Sequence, residues 1–235
     1  MNSFNWFSRR GPSLSTEQLQ RRAQLPAPAP LSEQPLSQQR LVVVDLETSG
    51  LDMKRDEVLS IGAVVIDQGA IQLAQTFECT LQRPDHQPSA STLIHGIAPS
   101  AIASGVEPAQ GLLDFMEFLG DSPLLAFHAG FDQRMLARAL KQSLDYRLQH
   151  SFFDVAELAP MLCPQAEIRN GGLDDWTRYF GLQVQQRHHA SADALATAEL
   201  GLILFSKARR QQADSLQALE QRLSQWRRRQ QALSM

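Results

Sequence analysis

Apolar residues first cluster into short runs. Leu41-Val42-Val43-Val44 is a block of apolar side chains bounded by a polar turn, the pattern of a strand buried on both faces. A second run covers Val58 to Ile66, and Asp67-Gln68-Gly69 supplies a turn after it. Ile71, Leu73, Phe77, Cys79 and Leu81 then fall at odd positions, the period of a strand with one buried face. A hairpin follows from this order, so the sheet is at least partly antiparallel.

Farther along, the period changes to that of helices. Residues 84–105 read as loop-rich, and Ser104-Gly105-Val106-Glu107 has the form of a capping box with Pro108 close to the first turn. Leu112, Phe115, Met116 and Leu119 follow at helical spacing and Gly120 ends the run. Leu124 to His128 reads as a short buried strand. It opens through Gly130 and Phe131-Asp132 into a helix marked by Met135, Leu136, Ala139 and Leu140. Phe152-Phe153-Asp154 predicts one more strand; residues 155–162, 173–180 and 190–207 predict helices, the last rich in Ala and Leu. The order describes an α/β domain over residues 40–206 with a mixed sheet. Residues 1–39, with five prolines and many Gln and Ser, predict a flexible arm with a short helix over Thr16–Ala23. Phe4, Trp6 and Phe7 beside Arg9-Arg10 offer a docking peptide, with a solvated tail as the simpler alternative. Residues 207–235 predict a basic helix whose stripe of Leu216, Leu219, Leu223 and Trp226 packs back on the domain.

Composition narrows the classes. The chain has 235 residues, 43% of them hydrophobic and 20% charged, which suits one globular domain with appendages. No apolar run is long enough to span a membrane, and the first ten residues lack the order of a secretory signal, so a cytoplasmic location is expected. Cys79 and Cys163 have no metal-ligand spacing. The net charge of −3 hides a division: residues 1–40 carry +3, residues 206–235 carry +5, and the segment between carries −11. An acidic body is unlike a protein that coats DNA; it suits a site that gathers carboxylates and holds a polyanion through metal ions, with basic ends assisting.

The carboxylates give that idea residues. Asp45 and Glu47 are two apart at the end of a strand, so both point to one face, and two like charges held so close call for a cation between them. Asp132 stands where a strand gives way to a helix, and Asp193 near the start of the last helix of the domain. Four carboxylates at element ends can hold two divalent cations that activate water and steady the leaving oxygen of a phosphodiester. A histidine of the His188-His189 pair supplies a base that titrates near neutrality. On a continuous helix His189 would share a face with Asp193, so the residues alone leave the choice open. Asp154, Asp174 and Asp175 read as helix caps or first-turn acids.

Asp45-Leu46-Glu47-Thr48-Ser49-Gly50-Leu51, Ile94-His95-Gly96-Ile97, Phe131-Asp132 and His188-x-Ala190-x-x-Asp193, in this order, resemble the DEDD exonucleases with a histidine base. The likeness is to the branch that includes the proofreading epsilon subunit of bacterial DNA polymerase III. It covers residues 40–206 and implies a ribonuclease-H-like α/β fold with a central five-stranded mixed sheet flanked by helices. It further implies removal of nucleoside 5′-monophosphates from the 3′ end of single strands with two Mg2+ or Mn2+ ions. Asp45, Glu47, Asp132 and Asp193 would then be metal ligands and His188, on a loop entering the helix, the base. Thr48, Leu51, His95 and Phe131 would contact the terminal nucleotide. One position departs: relatives commonly carry Asn where this chain has His128, so substrate preference is not transferable, and DNA is placed only slightly ahead of RNA. RNA trimming, a non-catalytic docking module and a different ribonuclease-H-like nuclease are the competing readings. The tails are candidate contacts for a polymerase or a sliding clamp.

Overall fold

The block at Leu41 forms a strand, β1 (Leu41–Thr48), and this strand is the middle of the sheet in the computed structural model, which describes residues 12–87, 90–168, 170–184 and 187–233. The aromatic and basic residues between Phe4 and Arg10 lie outside the described residues. Helix α1 (Thr16–Gln24) and a short 3-10 turn (Leu36–Gln38) precede β1, and the hairpin β2 (Val58–Asp67) and β3 (Ala70–Thr80) follows it. Three helices come next, α2 (Ala90–His95), α3 (Pro99–Ala103) and α4 (Pro108–Leu119). After them run β4 (Leu124–Ala126), α5 (Ala129–Leu144), β5 (Phe152–Asp154), α6 (Val155–Leu162), α7 (Leu173–Phe180), α8 (Ala190–Arg210) and α9 (Leu216–Leu233).

The sheet is five-stranded and mixed, in the order β3-β2-β1-β4-β5. β1 pairs antiparallel with β2, and β2 with β3, while β1, β4 and β5 run parallel. The pleat divides β1 between two cores. Leu41 and Val43 face a cluster that includes Leu158, Leu200, Leu204 and Leu219, and Val42, Val44 and Leu46 face one that includes Leu112, Phe115 and Leu136. Helices α6, α8 and α9 thus cover one face and α4 and α5 the other, which is why β1 carries almost no polar residue until both cores end.

Four expectations change. Residues 12–39 are not a free arm: Arg21 pairs with Asp114 at 2.6 Å and Glu117 at 2.7 Å on α4, Arg22 donates to the Leu144 carbonyl, and Leu14, Leu25 and Leu31 pack on the cores. These partners are remote in sequence, so Pro and Gln content alone pointed to disorder. Leu73 is exposed rather than buried, because the β2–β3 register shifts between Val64 and Val65 and the chain from 73 to 75 bulges off the edge. Glu107, not Ser104, caps α4, its carboxylate accepting from the Ala109 and Gln110 amides. The boundary expected at 206/207 falls inside α8, and α9 buries Leu216, Leu219 and Leu223 in the shared core, so residues 207–233 belong to the same body. Both cysteines are free and buried, and among the described residues no helix is long and apolar enough to cross a membrane.

Candidate active site

Where β1 leaves the two cores, its odd positions continue as Asp45 and Glu47. The first turn of α8 lies over the same end of the sheet. Gly62, the residue of β2 paired with Asp45, makes that approach possible: a Cβ there would sit 2.1 Å from the backbone of Ala190 and Ser191. Asp193, buried in the first turn of α8, thereby reaches the strand. Ligand atoms of Asp45, Glu47 and Asp193 all lie within 4.8 Å of one another.

Asp132 enters from the opposite layer. It is buried in the first turn of α5, and its carboxylate accepts a hydrogen bond from the Leu46 amide, on the strand between Asp45 and Glu47. It is not one of the close trio, but its charge acts on Asp45 more strongly than that of any other carboxylate. His128 before it has a left-handed backbone, φ 62°, and its amide donates to Asp154 at 3.0 Å. Asp154 also caps α6 through the Ala156 amide, as its position suggested.

The cluster is electrostatically crowded. Burial pushes the Asp45 carboxyl well above its usual range, and Asp132, Asp193 and Glu47 push it further. Glu47 is carried up to about 7, chiefly by burial and then by Asp193. Burial likewise raises Asp132, with Asp154 and Glu47 adding to it. One cation opposes this crowding. Arg187 forms ion pairs with Asp193 and with Asp174, the latter in the first turn of α7, and its charge pulls both Asp45 and Glu47 back down. Sequence reading passed over Arg187, although a basic residue next to the histidine pair was the available signal.

The two histidines separate. His188 is exposed, on the loop before α8, with φ 62°. Its amide donates to Asp193 Oδ2 at 3.1 Å, which ties the loop to the acid. His189 is the N-cap residue of α8; its Nδ1 is 3.0 Å from Ser191 Oγ and its Nε2 is 3.5 Å from Glu78 on β3.

A cavity of ≈ 240 Å³ opens beside Glu47, lined also by Ser60, Glu78, Thr80, His95, Ile97 and His189. His95 is buried, its Nδ1 accepts from the Ile97 amide at 3.0 Å, and its buried Nε2 has no hydrogen-bond partner among the described residues. Burial, and then His86, hold its ring below the ordinary histidine value. Thr48 is buried and its hydroxyl donates to the Gly50 carbonyl, Leu51 is 82% exposed, and Phe131 is partly buried against the α4–α5 core. Of the expected nucleotide contacts, only His95 lines the cavity; Leu51 stands free in solvent on the loop after β1.

All four acids offer carboxylate oxygens, the hard donors that suit Mg2+ or Mn2+, and their mutual repulsion is a cost that a dication removes. A partly buried carboxylate cluster beside a cavity with an unpartnered imidazole nitrogen is equipped for hydrolysis of an anionic substrate. Residues 42–200 match a family model, RNase_T, described as an exonuclease. A "DNA polymerase III PolC-type" protein of Bacillus subtilis is 30% identical over 176 residues, 74% of this chain and 12% of that protein. Its counterpart in Thermotoga maritima is 33% identical over 162 residues, 68% of this chain and 11% of that protein. This chain therefore spans only about an eighth of the length of these relatives. Among solved structures, E. coli exonuclease I in complex with a dA16 oligonucleotide superposes with a TM-score of 0.62 at 18% identity, over 74% of this chain and 42% of that one. Exonuclease I from Methylocaldum szegediense gives a TM-score of 0.59 at 21% identity, over 72% and 40%. At such identities the likeness establishes the fold, which is the ribonuclease-H-like exonuclease fold expected from the motifs.

Proposed function

Because this chain belongs to the RNase T exonuclease family, we propose that it is a metal-dependent 3′-to-5′ exonuclease that releases nucleoside 5′-monophosphates from single-stranded ends, DNA ahead of RNA. The observation that carries the reading is the meeting of Asp45, Glu47 and Asp193, nearly 150 positions apart, within 4.8 Å of one another. Asp45, Glu47, Asp132 and Asp193 would hold two divalent cations, Mg2+ or Mn2+. The chemistry such ions would supply there is a lowered pKa for a water molecule and stabilisation of the leaving 3′ oxygen. His188 takes the proton from the attacking water, and the bond from its amide to Asp193 keeps base and ligand in one register. The terminal nucleoside occupies the cavity next to Glu47, where His95 Nε2 gains the partner it lacks. Thr48, Leu51 and Phe131 border its approach. Single strands are favoured as substrate because a terminal base must enter such a cavity unpaired. DNA is favoured by the names of the relatives, which are DNA polymerases, and by the dA16 bound to the E. coli structure. Proofreading or repair beside a polymerase, in the cytoplasm, is the matching role.

The test is a 5′-labelled 20-nucleotide DNA or RNA strand incubated with Mg2+ or Mn2+. A ladder shortening from the 3′ end, abolished by chelator and by Asp45→Ala, is expected, faster on DNA. No ladder on either strand would assign the fold to a docking module instead, and cutting of circular strands would assign it to an endonuclease.

A further inference from the structure

We propose that the arginine-rich end of α9 is the track along which the single strand reaches the candidate site. The inference rests on the exonuclease reading for what the strand is, and on the packing of α9 for where it runs. Helix α9 is antiparallel to α6. Gln211, ahead of α9, donates to the Leu162 carbonyl at the far end of α6 at 2.9 Å, and Arg222 donates back to the Gln211 carbonyl at 2.9 Å. About three turns into α9, Arg227 pairs with Glu157 in the first turn of α6, Nε to Oε2 at 2.9 Å. That first turn belongs to the site: its cap, Asp154, holds the His128 amide and adds to the charge felt by Asp132.

The basic end of α9 is therefore at the same end of the sheet as the carboxylates, and the helix is fixed there. Leu216, Leu219 and Leu223 are fully buried in the shared core, and Arg227 ties the helix to α6 farther along. Residues 228–233 continue roughly 9 Å beyond Arg227 at the helical rise. Arg227 is already engaged by Glu157, whereas Arg228 and Arg229 are exposed and make no ion pair among the described residues. Residues 41–205 hold 21 acidic against 10 basic side chains, so a strand approaching over this surface is repelled. Two unpaired guanidinium groups at the rim offer phosphates a favourable path into a site that acts on a phosphodiester.

The experiment compares Arg228→Ala/Arg229→Ala with Arg209→Ala/Arg210→Ala in the full chain. The second pair removes equal charge from exposed positions at the other end of α8, about 30 Å from its first turn. Anisotropy of a fluorescein-labelled 20-nucleotide strand, in chelator so that nothing is cut, reads affinity directly. Loss of the α9 pair weakens binding about tenfold and lowers the slope of log affinity against log salt by about 1.4; loss of the α8 pair changes neither. With Mn2+ present, KM for the 20-nucleotide strand rises while that for a trinucleotide does not follow it. Equal weakening by both pairs would overturn the track in favour of diffuse charge. Unchanged strand affinity in the α9 variant would overturn it too, and would reassign the arginines to an acidic protein partner. Arg228→Glu/Arg229→Glu must deepen the loss without lowering the thermal midpoint. If the wild type cuts no strand but the binding contrast holds, the exonuclease reading fails and the track stands; if strands are cut and the contrast is absent, the reverse follows.

Discussion

Arg187 is in ion-pair contact with Asp193, the buried acid six positions later, and its guanidinium also meets Asp174 on α7. Burial alone would lower the Arg187 pKa; its two carboxylates outweigh that and hold it up, so the cation persists within a cluster of acids. It neutralises, in part, the charge that a divalent ion would neutralise. Arg187→Ala should destabilise the metal-free protein by about 1–3 kcal/mol and tighten Mn2+ binding about tenfold, a gain of roughly 1.4 kcal/mol. Thermal unfolding in chelator and titration calorimetry with Mn2+ measure the two effects. Weaker Mn2+ binding in the variant would show that Arg187 organises the ligands rather than competing with the ion.

The crowded carboxylates make stability fall with pH. Glu47 releases its proton near 4.5 in an unfolded chain but holds it to about 7 in the fold, so its contribution is complete below about 4.5 and is lost as pH rises through about 7. Asp45 and Asp132, also raised, act with the same sign. In chelator, the unfolding temperature should drop between about pH 5 and pH 8, by about 2–4 °C for each kcal/mol lost. Glu47→Gln should flatten the drop, and Mn2+ should reverse it at the alkaline end. A metal-free midpoint that climbs over this range would contradict the assigned burial of the cluster.

The two neighbouring histidines should fail differently. His188→Ala is expected to lower kcat by about 10²–10⁴ with little change in KM, the loss of a general base. His189, occupied by Ser191 and facing Glu78 at the cavity wall, should on removal act mainly on KM. Steady-state kinetics of the single variants decides between them; abolition of turnover by His189→Ala alone would exchange their roles.

Gly62→Ala tests how α8 is seated. Its Cβ would fall 2.1 Å from the Ala190 and Ser191 backbone, which must move and take Asp193 with it. A stability loss of about 1–3 kcal/mol is expected, accompanied by a fall in activity larger than the loss of folded protein explains. Gly201→Ala, farther along α8, meets only side-chain ends, Leu125 at 3.1 Å and Ile66 at 3.9 Å, and should keep its activity. Similar activity in both variants would mean that the position of the α8 terminus does not govern the site.

Much of the fold was legible because its signals are local. The runs at Val42 and Leu59 are strands since both of their faces are buried, and α4 and α5 follow from apolar residues at helical spacing. Leu73 was misread because the alternation says nothing of a register shift in the partner strand. The arm was misread because Arg21 finds its acids 93 and 96 residues away. The seating of α9 was legible as an apolar stripe, but its direction along α6 was not.

By itself the sequence determined which chemistry was available: Asp45 and Glu47 on one face of a strand, two further acids at helix starts, and a histidine pair before the last of them. Pattern and spacing determine this because strand and helix periods fix which side chains share a face. Only the tertiary structure decided that Asp193 joins Asp45 and Glu47 while Asp132 comes from the other layer, that His188 and His189 turn to different neighbours, and that Arg187 occupies the acids' midst. Those outcomes depend on the close passage of α8 over Gly62 and on packing between residues far apart in the chain, which no local period records.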